Sequence, residues 1–317
     1  MFDLVAIGEV LIDFHMQKDD MSPLWVGNAG GAPANVLAAA SKLGVSTALI
    51  GAVGDDPFGH SLLRLINKLS IDTRAMSILP QVWTTLAFVS LDSQGERSFS
   101  FLRNPGSDTA WHTTHIMKQY ASSCRVLHYG SLTLCASPAR EALLELLSLA
   151  KNQGAVLSYD PNWRPALWKD KKMGIEAMRL GLQWADVVKV AEEEACLLTG
   201  KSQIDEAMEE LAHCGPTWLL ITGGSKGAWI VHRDGWRRHV PTIPVRVEDS
   251  TGAGDTFLGA FWAELLTVID AKVSLLTAHH EQLENAVRFA NRAGAYIAAR
   301  SGSLSIMPTR EQIEELG

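Results

Sequence analysis

The chain has 317 residues, 47% of them hydrophobic and 20% charged, a composition typical of a folded globular protein rather than a disordered or fibrous one. Its 28 basic and 35 acidic residues give a formal net charge of −7, which argues against general binding to nucleic acids or anionic membranes, because no excess of positive charge attracts phosphates. The four cysteines lack the C-x-x-C spacing of zinc sites, so we expect free thiols in a reducing cytoplasm.

Along the chain, apolar and β-branched runs alternate with amphipathic or small-residue runs, which predicts strands alternating with helices. The predicted strands span 4–12, 45–53, 84–91, 97–102, 126–129, 155–159, 186–190, 218–222 and 228–231. The predicted helices span 34–43, 58–69, 138–152, 192–198, 254–268 and 283–300, and a tryptophan-rich helical stretch ends at 184. This order predicts a doubly wound, mostly parallel sheet with helices on both faces.

One predicted hairpin interrupts that alternation. The strands 84–91 and 97–102 flank the polar residues 92–96, a pattern typical of a β-hairpin. The hairpin and the polar, methionine-containing residues near 15–27 do not fit a parallel sheet. We therefore expect a small β-sheet lid, formed by about 13–30 and 83–104 and inserted in a single domain that spans 1–317.

The strongest chemical signal is the segment EDSTGAGDTF at 248–257, which leads directly into an apolar helix. Small residues leave the backbone N–H groups at the helix start accessible, and the helix dipole adds positive charge, so this segment predicts an anion cradle. Asp255 in the first turn could stand beside the anion and accept a proton, which suits phosphoryl transfer. The alternative is an ordinary glycine-rich loop with a first-turn acid.

The second signal is GGAPAN at 30–35, again a loop that leads into a helix. Adjacent glycines permit close approach of the backbone to a ligand, and Asn35 offers hydroxyls both a donor and an acceptor. Asp13 follows the first predicted strand, where parallel sheets place ligand-binding groups. The alternative is a tight packing corner with Asp13 as a cap.

Weaker signals follow other strands. Arg164 in DPNWR and Arg103 after the hairpin could reach a phosphate or an oxygen-rich ligand, although most surface arginines are only solvated. TGGSKG at 222–227 could wrap a nucleotide or form a plain turn. In EEE at 192–194, one carboxylate could order the hydration of Mg²⁺, or the run could match the helix dipole. HHE at 279–281 lacks metal-ligand spacing and is interpreted as an exposed helix start.

Together, GGAPAN and DSTGAGDTF at 249–257 resemble the signatures of the ribokinase/PfkB family of sugar kinases, and the resemblance covers essentially the whole chain. It is strongest to fructokinases, which have stretches similar to GEVLIDF at 8–14, GERSF at 95–99, RNP at 103–105, YDPNWR at 159–164 and KVAEEE at 189–194. The resemblance implies a three-layer α/β/α domain with a β-lid. It also implies ATP-dependent phosphorylation of a sugar hydroxymethyl group, with D-fructose to fructose 6-phosphate as the leading reaction.

The resemblance further implies a role for each candidate residue. The catalytic group would be Asp255 as base, the amides of Gly252, Ala253 and Gly254 as anion hole, and Arg164 near the transferred phosphoryl. The sugar would be held by Asp13, Gly30, Gly31, Asn35 and Arg103. ATP would be bound by Lys189, Thr222, Gly224, Ser225, Gly227 and either Asn285 or Asn291. Glu194 would help to place Mg²⁺, and Asp249, Thr251 and Gly302 would form a site for K⁺.

Two departures from the family pattern concern the cations. Ala191 stands where many relatives have asparagine, which makes the magnesium geometry less certain than the base. Ile306 is apolar where some relatives offer a polar ligand, which argues against potassium dependence.

Two alternatives stay open. A 2-keto-3-deoxygluconate kinase would use two arginines, Arg103 and Arg164, for a carboxylate substrate. A non-catalytic sugar- or nucleotide-binding protein on the same scaffold is the other, although a binding module needs no base such as Asp255. The expected partners are a sugar and ATP, with no nucleic acid and no membrane. The unpaired edges of the lid predict a homodimer, against the alternative of a charged, monomeric lid.

Overall fold

The computed structural model describes residues 1–17, 24–91, 97–270, 273–300, 302 and 304–316. The strands are β1 Phe2–Ile7, β2 Leu11–Gln17, β3 Leu24–Gly30, β4 Thr47–Gly54, β5 Ile71–Asp72, β6 Met76–Leu79, β7 Leu86–Leu91, β8 Arg97–Leu102, β9 Cys124–Gly130, β10 Val156–Asp160, β11 Val187–Ala191, β12 Trp218–Thr222, β13 Ala228–His232 and β14 Arg237–Val240. The α-helices are α1 Ala32–Lys42, α2 Pro57–Lys68, α3 His115–Ala121, α4 Ala139–Asn152, α5 Lys171–Leu182, α6 Glu192–Thr199, α7 Ile204–His213, α8 Ala253–Val268, α9 His280–Ala298 and α10 Arg310–Glu314.

The large sheet has the order β14-β13-β12-β11-β10-β9-β1-β4-β5, with β6 also paired to β4. Its strands are parallel from β12 to β5, and β13 and β14 add an antiparallel edge. Strands such as β4 are buried along their whole length, because both faces of a parallel sheet are covered. The predicted doubly wound, mostly parallel sheet is therefore confirmed.

Helices cover both faces of this sheet and form two hydrophobic cores. One core contains residues of α1, α2, α8 and α9, and the other contains residues of α3, α4, α5, α6 and α7. Helix α8 is buried around most of its circumference, because α1 and α9 pack on either side of it. The predicted three-layer α/β/α arrangement follows from these two cores. No helix within the described residues combines the length and apolarity that crossing a membrane requires.

A separate four-stranded sheet has the order β3-β2-β7-β8. Strands β7 and β8 pair antiparallel from Leu86 opposite Leu102 to Leu91 opposite Arg97, so the predicted hairpin is confirmed. Strand β2 pairs antiparallel with β3 and parallel with β7. The turn at 92–96, and residues 18–23 of the expected lid, lie outside the described part of the chain.

The prediction of a single strand over 4–12 is wrong. Strand β1 ends at Ile7 in the large sheet, and β2 begins at Leu11 in the small one. Gly8, with φ +154°, follows β1, and a Cβ there would lie 2.6 Å from Cγ of Pro33. The chain therefore leaves the large sheet beside the start of α1. Sequence periodicity also missed the short elements β5, β6, β14, α3, α7 and α10.

Candidate active site

Asp255 lies in the first turn of α8 and is 8% exposed. Gly252 is the N-cap in the left-handed conformation, with φ +78°, which glycine adopts without strain. Across the site, Nδ2 of Asn35 donates a hydrogen bond to Oδ2 of Asp255 at 2.8 Å. The starts of α1 and α8 therefore meet, and the two motifs that the sequence singled out form one site.

Burial raises the pKa of the Asp255 carboxyl from 3.8 to about 6. The negative charge of Asp160 raises this pKa further, whereas the hydrogen bond from Asn35 and the positive charges of Lys189 and Arg164 lower it. A carboxylate with a pKa close to the working pH is well matched to the task of a general base. The electrostatic influence of Arg164 extends to Asp13 as well.

An ion pair lies directly behind the start of α8. Nζ of Lys189 is 2.9 Å from Oδ2 of Asp160, and both residues are buried. A Cβ on Gly254 would lie 2.8 Å from this same Nζ, so the glycine leaves room for the lysine beneath the helix start. Lys189 adds positive charge where the first-turn N–H groups of α8 are concentrated. The sequence had not assigned a role to Asp160.

The first-turn amides were predicted to hold an anion. Ala253 already donates its N–H to the carbonyl oxygen of Ser250 at 3.2 Å, so this amide has an acceptor within the loop. Arg164 is exposed, and one guanidinium N–H donates to the carbonyl oxygen of Trp163 at 3.2 Å. The anion hole and the phosphoryl contact of Arg164 stay predictions.

The residues predicted to bind a sugar lie on or next to strands of the small sheet and at the start of α1. Asp13 is on β2, opposite Asn28 of β3, and burial raises the pKa of its carboxyl. A Cβ on Gly30 would collide with Oδ2 of Asp13, so glycine is needed for this close approach. The Oδ1 atom of Asn35 is buried and has no hydrogen-bond partner within the described residues. Buried acceptors are almost always satisfied, which makes this oxygen a candidate acceptor for a ligand hydroxyl.

Glu9 is a buried acid of the site whose role the sequence analysis missed. Its Oε1 atom accepts a hydrogen bond from the N–H of Ala32 at 3.1 Å, and a Cβ on Gly31 would collide with its backbone oxygen. Burial, with a further contribution from Asp108, raises the pKa of Glu9 to about 7. Glu9 thus holds the loop that contains Gly30 and Gly31.

Arg103 was predicted to hold the sugar from the lid. Its side chain is 8% exposed and forms an ion pair of 2.5 Å with Asp108. The guanidinium also donates to Sγ of Cys135 at 3.0 Å and to the carbonyl oxygen of Leu132 at 3.2 Å. These contacts anchor the end of β8 to the main domain, and the sugar-binding role of Arg103 stays a prediction.

A cavity of about 400 Å³ adjoins the start of α8. Its lining includes seven predicted site residues, namely Thr222, Gly224, Ser225, Gly227, Ala253, Gly254 and Asn291. The apolar residues Ile243, Pro244, Val245 and Val247 form another wall that the sequence analysis did not identify. In the sequence, the mostly apolar run at 243–247, which contains Pro244, could have indicated this wall. A mostly apolar cavity that ends at the first turn of a helix suits a heteroaromatic base with a phosphate tail.

The structure separates the two candidate asparagines of α9. Asn291 lines the cavity, and its Nδ2 donates to the carbonyl oxygen of Val240 at 2.9 Å. Asn285 is exposed, accepts a hydrogen bond from Arg288 at 2.7 Å and does not line this cavity.

The residues predicted to hold Mg²⁺ and K⁺ already have contacts within the protein. Both carboxylate oxygens of Glu194 accept backbone N–H groups, from Trp163 at 2.6 Å and from Ala191 at 2.8 Å. Asp249 accepts the N–H of Thr251 at 2.9 Å. Gly302 has φ +129°, and a Cβ there would contact the side chain of Ile306 at 3.4 Å, so Ile306 packs against this glycine.

Comparison with known proteins agrees with this geometry. The pfkB family carbohydrate kinase profile matches residues 1–310. Probable fructokinase-5 of Arabidopsis thaliana is 35% identical over 318 residues, covering 99% of this chain and 96% of that protein. A fructokinase of Xylella fastidiosa with bound ATP has a TM-score of 0.91 at 30% identity, covering 100% of this chain and 98% of that one.

A double-mutant fructokinase of Vibrio cholerae O395, bound to fructose, ADP and a potassium ion, has a TM-score of 0.87 at 28% identity. It covers 99% of this chain and 98% of its own. Both the predicted fold and the predicted family resemblance are therefore confirmed. The profile match and the full-length relatives establish that the chain belongs to the pfkB family of carbohydrate kinases.

Proposed function

We propose that this protein is an ATP-dependent fructokinase, which transfers the γ-phosphoryl group of ATP to D-fructose and forms fructose 6-phosphate. The observation that carries the proposal is the position of Asp255, which is buried, hydrogen-bonded to Asn35 at the start of α1, and next in sequence to Ala253 and Gly254, which line the cavity beside α8. The full-length relatives bear the name fructokinase, which supports fructose over other sugars.

In this reaction Asp255 is the general base. Its carboxylate accepts the proton of the attacking hydroxyl as that oxygen bonds to the γ-phosphorus and the bond to the β–γ bridging oxygen breaks. ADP leaves with the bridging oxygen. Asn35 holds Oδ2 of Asp255 at 2.8 Å, which leaves Oδ1 of the carboxylate to face the hydroxyl. Positioning and desolvation then provide much of the rate enhancement.

The amides of Gly252, Ala253 and Gly254 stabilise the negative charge of the transferring group at the positive end of α8. Ala253 contributes by exchanging its present acceptor, the carbonyl oxygen of Ser250, for phosphate oxygen. Lys189 acts from behind the helix start, held by Asp160, and Arg164 reaches the phosphoryl from the solvent side. The remaining ATP contacts come from Thr222, Gly224, Ser225, Gly227 and Asn291 around the cavity.

The sugar would bind beside Asp13 of the small sheet and the start of α1. Asp13 and Oδ1 of Asn35 accept hydrogen bonds from its hydroxyls, and the backbone of Gly30 and Gly31 packs against it. Arg103 completes the pocket by fixing the end of β8, through the same ion pair with Asp108 that limits its own access to the ligand.

Two cations, Mg²⁺ and K⁺, would accompany the substrates. Mg²⁺ would arrive bound to ATP, and Glu194 would help to order its water shell with the lone pairs that its two backbone hydrogen bonds leave available. Asp249, Thr251 and Gly302 would hold K⁺, next to the apolar side chain of Ile306, which packs against Gly302.

The small sheet is proposed to act as a lid inserted in a single kinase domain. Closure of the sheet over the sugar would exclude water from the reacting atoms. Its edge strands β3 and β8 carry exposed apolar residues, including Leu24 and Leu102, which supports pairing of two lids in a homodimer. A cytoplasmic location remains the expectation drawn from the cysteine pattern.

Initial rates with ATP on fructose, 2-keto-3-deoxygluconate, ribose and adenosine test the proposal. Fructose should give the highest kcat/KM, and a higher kcat/KM on the sugar acid would overturn the substrate assignment. The ion pair of Arg103 with Asp108 supports fructose, because it leaves only Arg164 of the two arginines that a sugar acid would need.

A further inference from the structure

A cluster of metal-binding side chains lies where the β13–β14 hairpin meets the start of α9. His232 is the last residue of β13, Asp234 lies in the following turn, and His280 is the first residue of α9. One ligand atom from each of the three lies within 4.8 Å of the other two. The spacing of the run at 279–281 gave no sign of a metal, because the partners of His280 come from a hairpin far earlier in the chain.

Neighbouring contacts fix the orientation of these side chains. Trp236 stacks on the ring of His280, with centroids 3.9 Å apart and an angle of 7° between the planes. Nδ1 of His232 is 2.9 Å from Oδ1 of Asp234, and the same carboxylate oxygen accepts the N–H of Trp236 at 2.8 Å. Because the rings and the carboxylate are already held, an ion that binds them costs little additional side-chain entropy.

The chemistry of the three ligands selects the ion. Two imidazole nitrogens and one carboxylate suit Zn²⁺ and similar transition metals rather than Mg²⁺, which prefers oxygen ligands. Zn²⁺ binds such atoms at about 2.0–2.2 Å, which small side-chain rotations can reach from the present separation. The side chains of His232 and Asp234 are 21% and 55% exposed, so an ion has access from solvent.

We propose that His232, Asp234 and His280 form a binding site for a divalent transition-metal ion of the Zn²⁺ class, separate from the cations that accompany ATP. The ion would lie between the facing atoms of His232 and Asp234, which are 2.9 Å apart, and would connect the hairpin to α9. Helix α9 carries Asn291 of the nucleotide cavity, and β14 leads into the apolar loop on its other side. The ion would therefore tether two elements that frame the cavity, whatever sugar the enzyme phosphorylates.

Isothermal titration calorimetry with Zn²⁺, on chelator-treated full-length protein without nucleotide, tests the proposal. Wild type should show a binding event that His280→Ala and His232→Ala weaken at least tenfold. His279→Ala removes the adjacent exposed histidine and serves as the matched control, which should bind Zn²⁺ as wild type does. Zn²⁺ at a hundredfold excess over the wild-type Kd should raise the Tm of wild type by about 4 °C and that of His280→Ala by no more than about 2 °C.

Absence of Zn²⁺ binding to wild type, or equal binding by wild type and both histidine variants, would overturn the proposal. Asp234→Asn covers the case in which a histidine variant does not fold, because asparagine retains an acceptor for the N–H of Trp236. This variant should keep the Tm of the metal-free protein and weaken Zn²⁺ binding. Unchanged affinity in Asp234→Asn would contradict the proposed ligand set.

Discussion

Replacing Asp255 by asparagine separates two consequences of burying a carboxylate at the start of α8. Asparagine keeps the size of the side chain and an acceptor for Nδ2 of Asn35, but it cannot take a proton from the substrate. We expect kcat to fall by about 10²–10⁴-fold, with the affinity for ATP largely retained, because the cavity lining is unchanged.

The same substitution should stabilise the fold. Raising the pKa of Asp255 from 3.8 to about 6 corresponds, at about 1.4 kcal/mol per pKa unit, to about 3 kcal/mol lost when the buried group ionises. Because the folded pKa is raised, wild type loses this stability as the pH rises from about 4 to about 6. Asp255→Asn should therefore be more stable than wild type above pH 6, by about 4 °C in Tm, and the difference should disappear below pH 4.

The assays are fructose-dependent ADP release and thermal unfolding across this pH range. Glu206→Gln is the matched control, since Glu206 is an acid in the first turn of α7 but is exposed, and neither rate nor Tm should change. Unchanged turnover in Asp255→Asn would refute its role as the base. A lower Tm at pH 7 would refute the argument that burial of the charge destabilises the protein.

Three further substitutions test the surroundings of the base, each by initial rates. Glu9→Ala removes the acceptor for the N–H of Ala32 and should raise the KM for fructose roughly tenfold with a smaller change in kcat. Glu9→Gln keeps an acceptor and should restore the KM. Equal KM values in both variants would contradict the positioning role of Glu9. Gly254→Ala places a Cβ 2.8 Å from Nζ of Lys189 and should lower kcat/KM for ATP by about tenfold or more, whereas a wild-type value would show that the lysine moves aside without cost. Asn291→Ala removes the hydrogen bond to Val240 at the end of β14 and should raise the KM for ATP roughly tenfold. Asn285→Ala, outside the cavity, should not change this KM, and equal effects of the two substitutions would contradict the placement of ATP.

Much of the fold was predictable because the buried parallel strands are continuous apolar runs with helices between them. The exceptions have local causes. Strands β5 and β6 have two and four residues, which is too short for a periodic pattern. The run at 4–12 reads as one strand because both halves are apolar, and only the packing of Gly8 against Pro33 reveals the break.

The candidate site was predictable where its residues lie in one short segment. Asn35 and Asp255 each stand in a motif of small residues, and the structure joins the two motifs by one hydrogen bond. Glu9 and Asp160 lie in motifs that the sequence analysis quoted, but neither had an assigned role. Their importance comes from the hydrogen bond between Ala32 and Glu9 and the ion pair between Lys189 and Asp160, which form only in the folded chain. The commitment of Arg103 to Asp108 is likewise a property of packing.

A crystal structure of the protein with fructose and a non-hydrolysable ATP analogue tests the central claim most directly. We predict that the 6-hydroxyl of fructose lies about 2.6–3.2 Å from a carboxylate oxygen of Asp255, in line with the γ-phosphorus, whose oxygens face the first turn of α8. A sugar bound with this hydroxyl directed away from Asp255, or a terminal phosphate bound outside the first turn, would contradict the proposed mechanism.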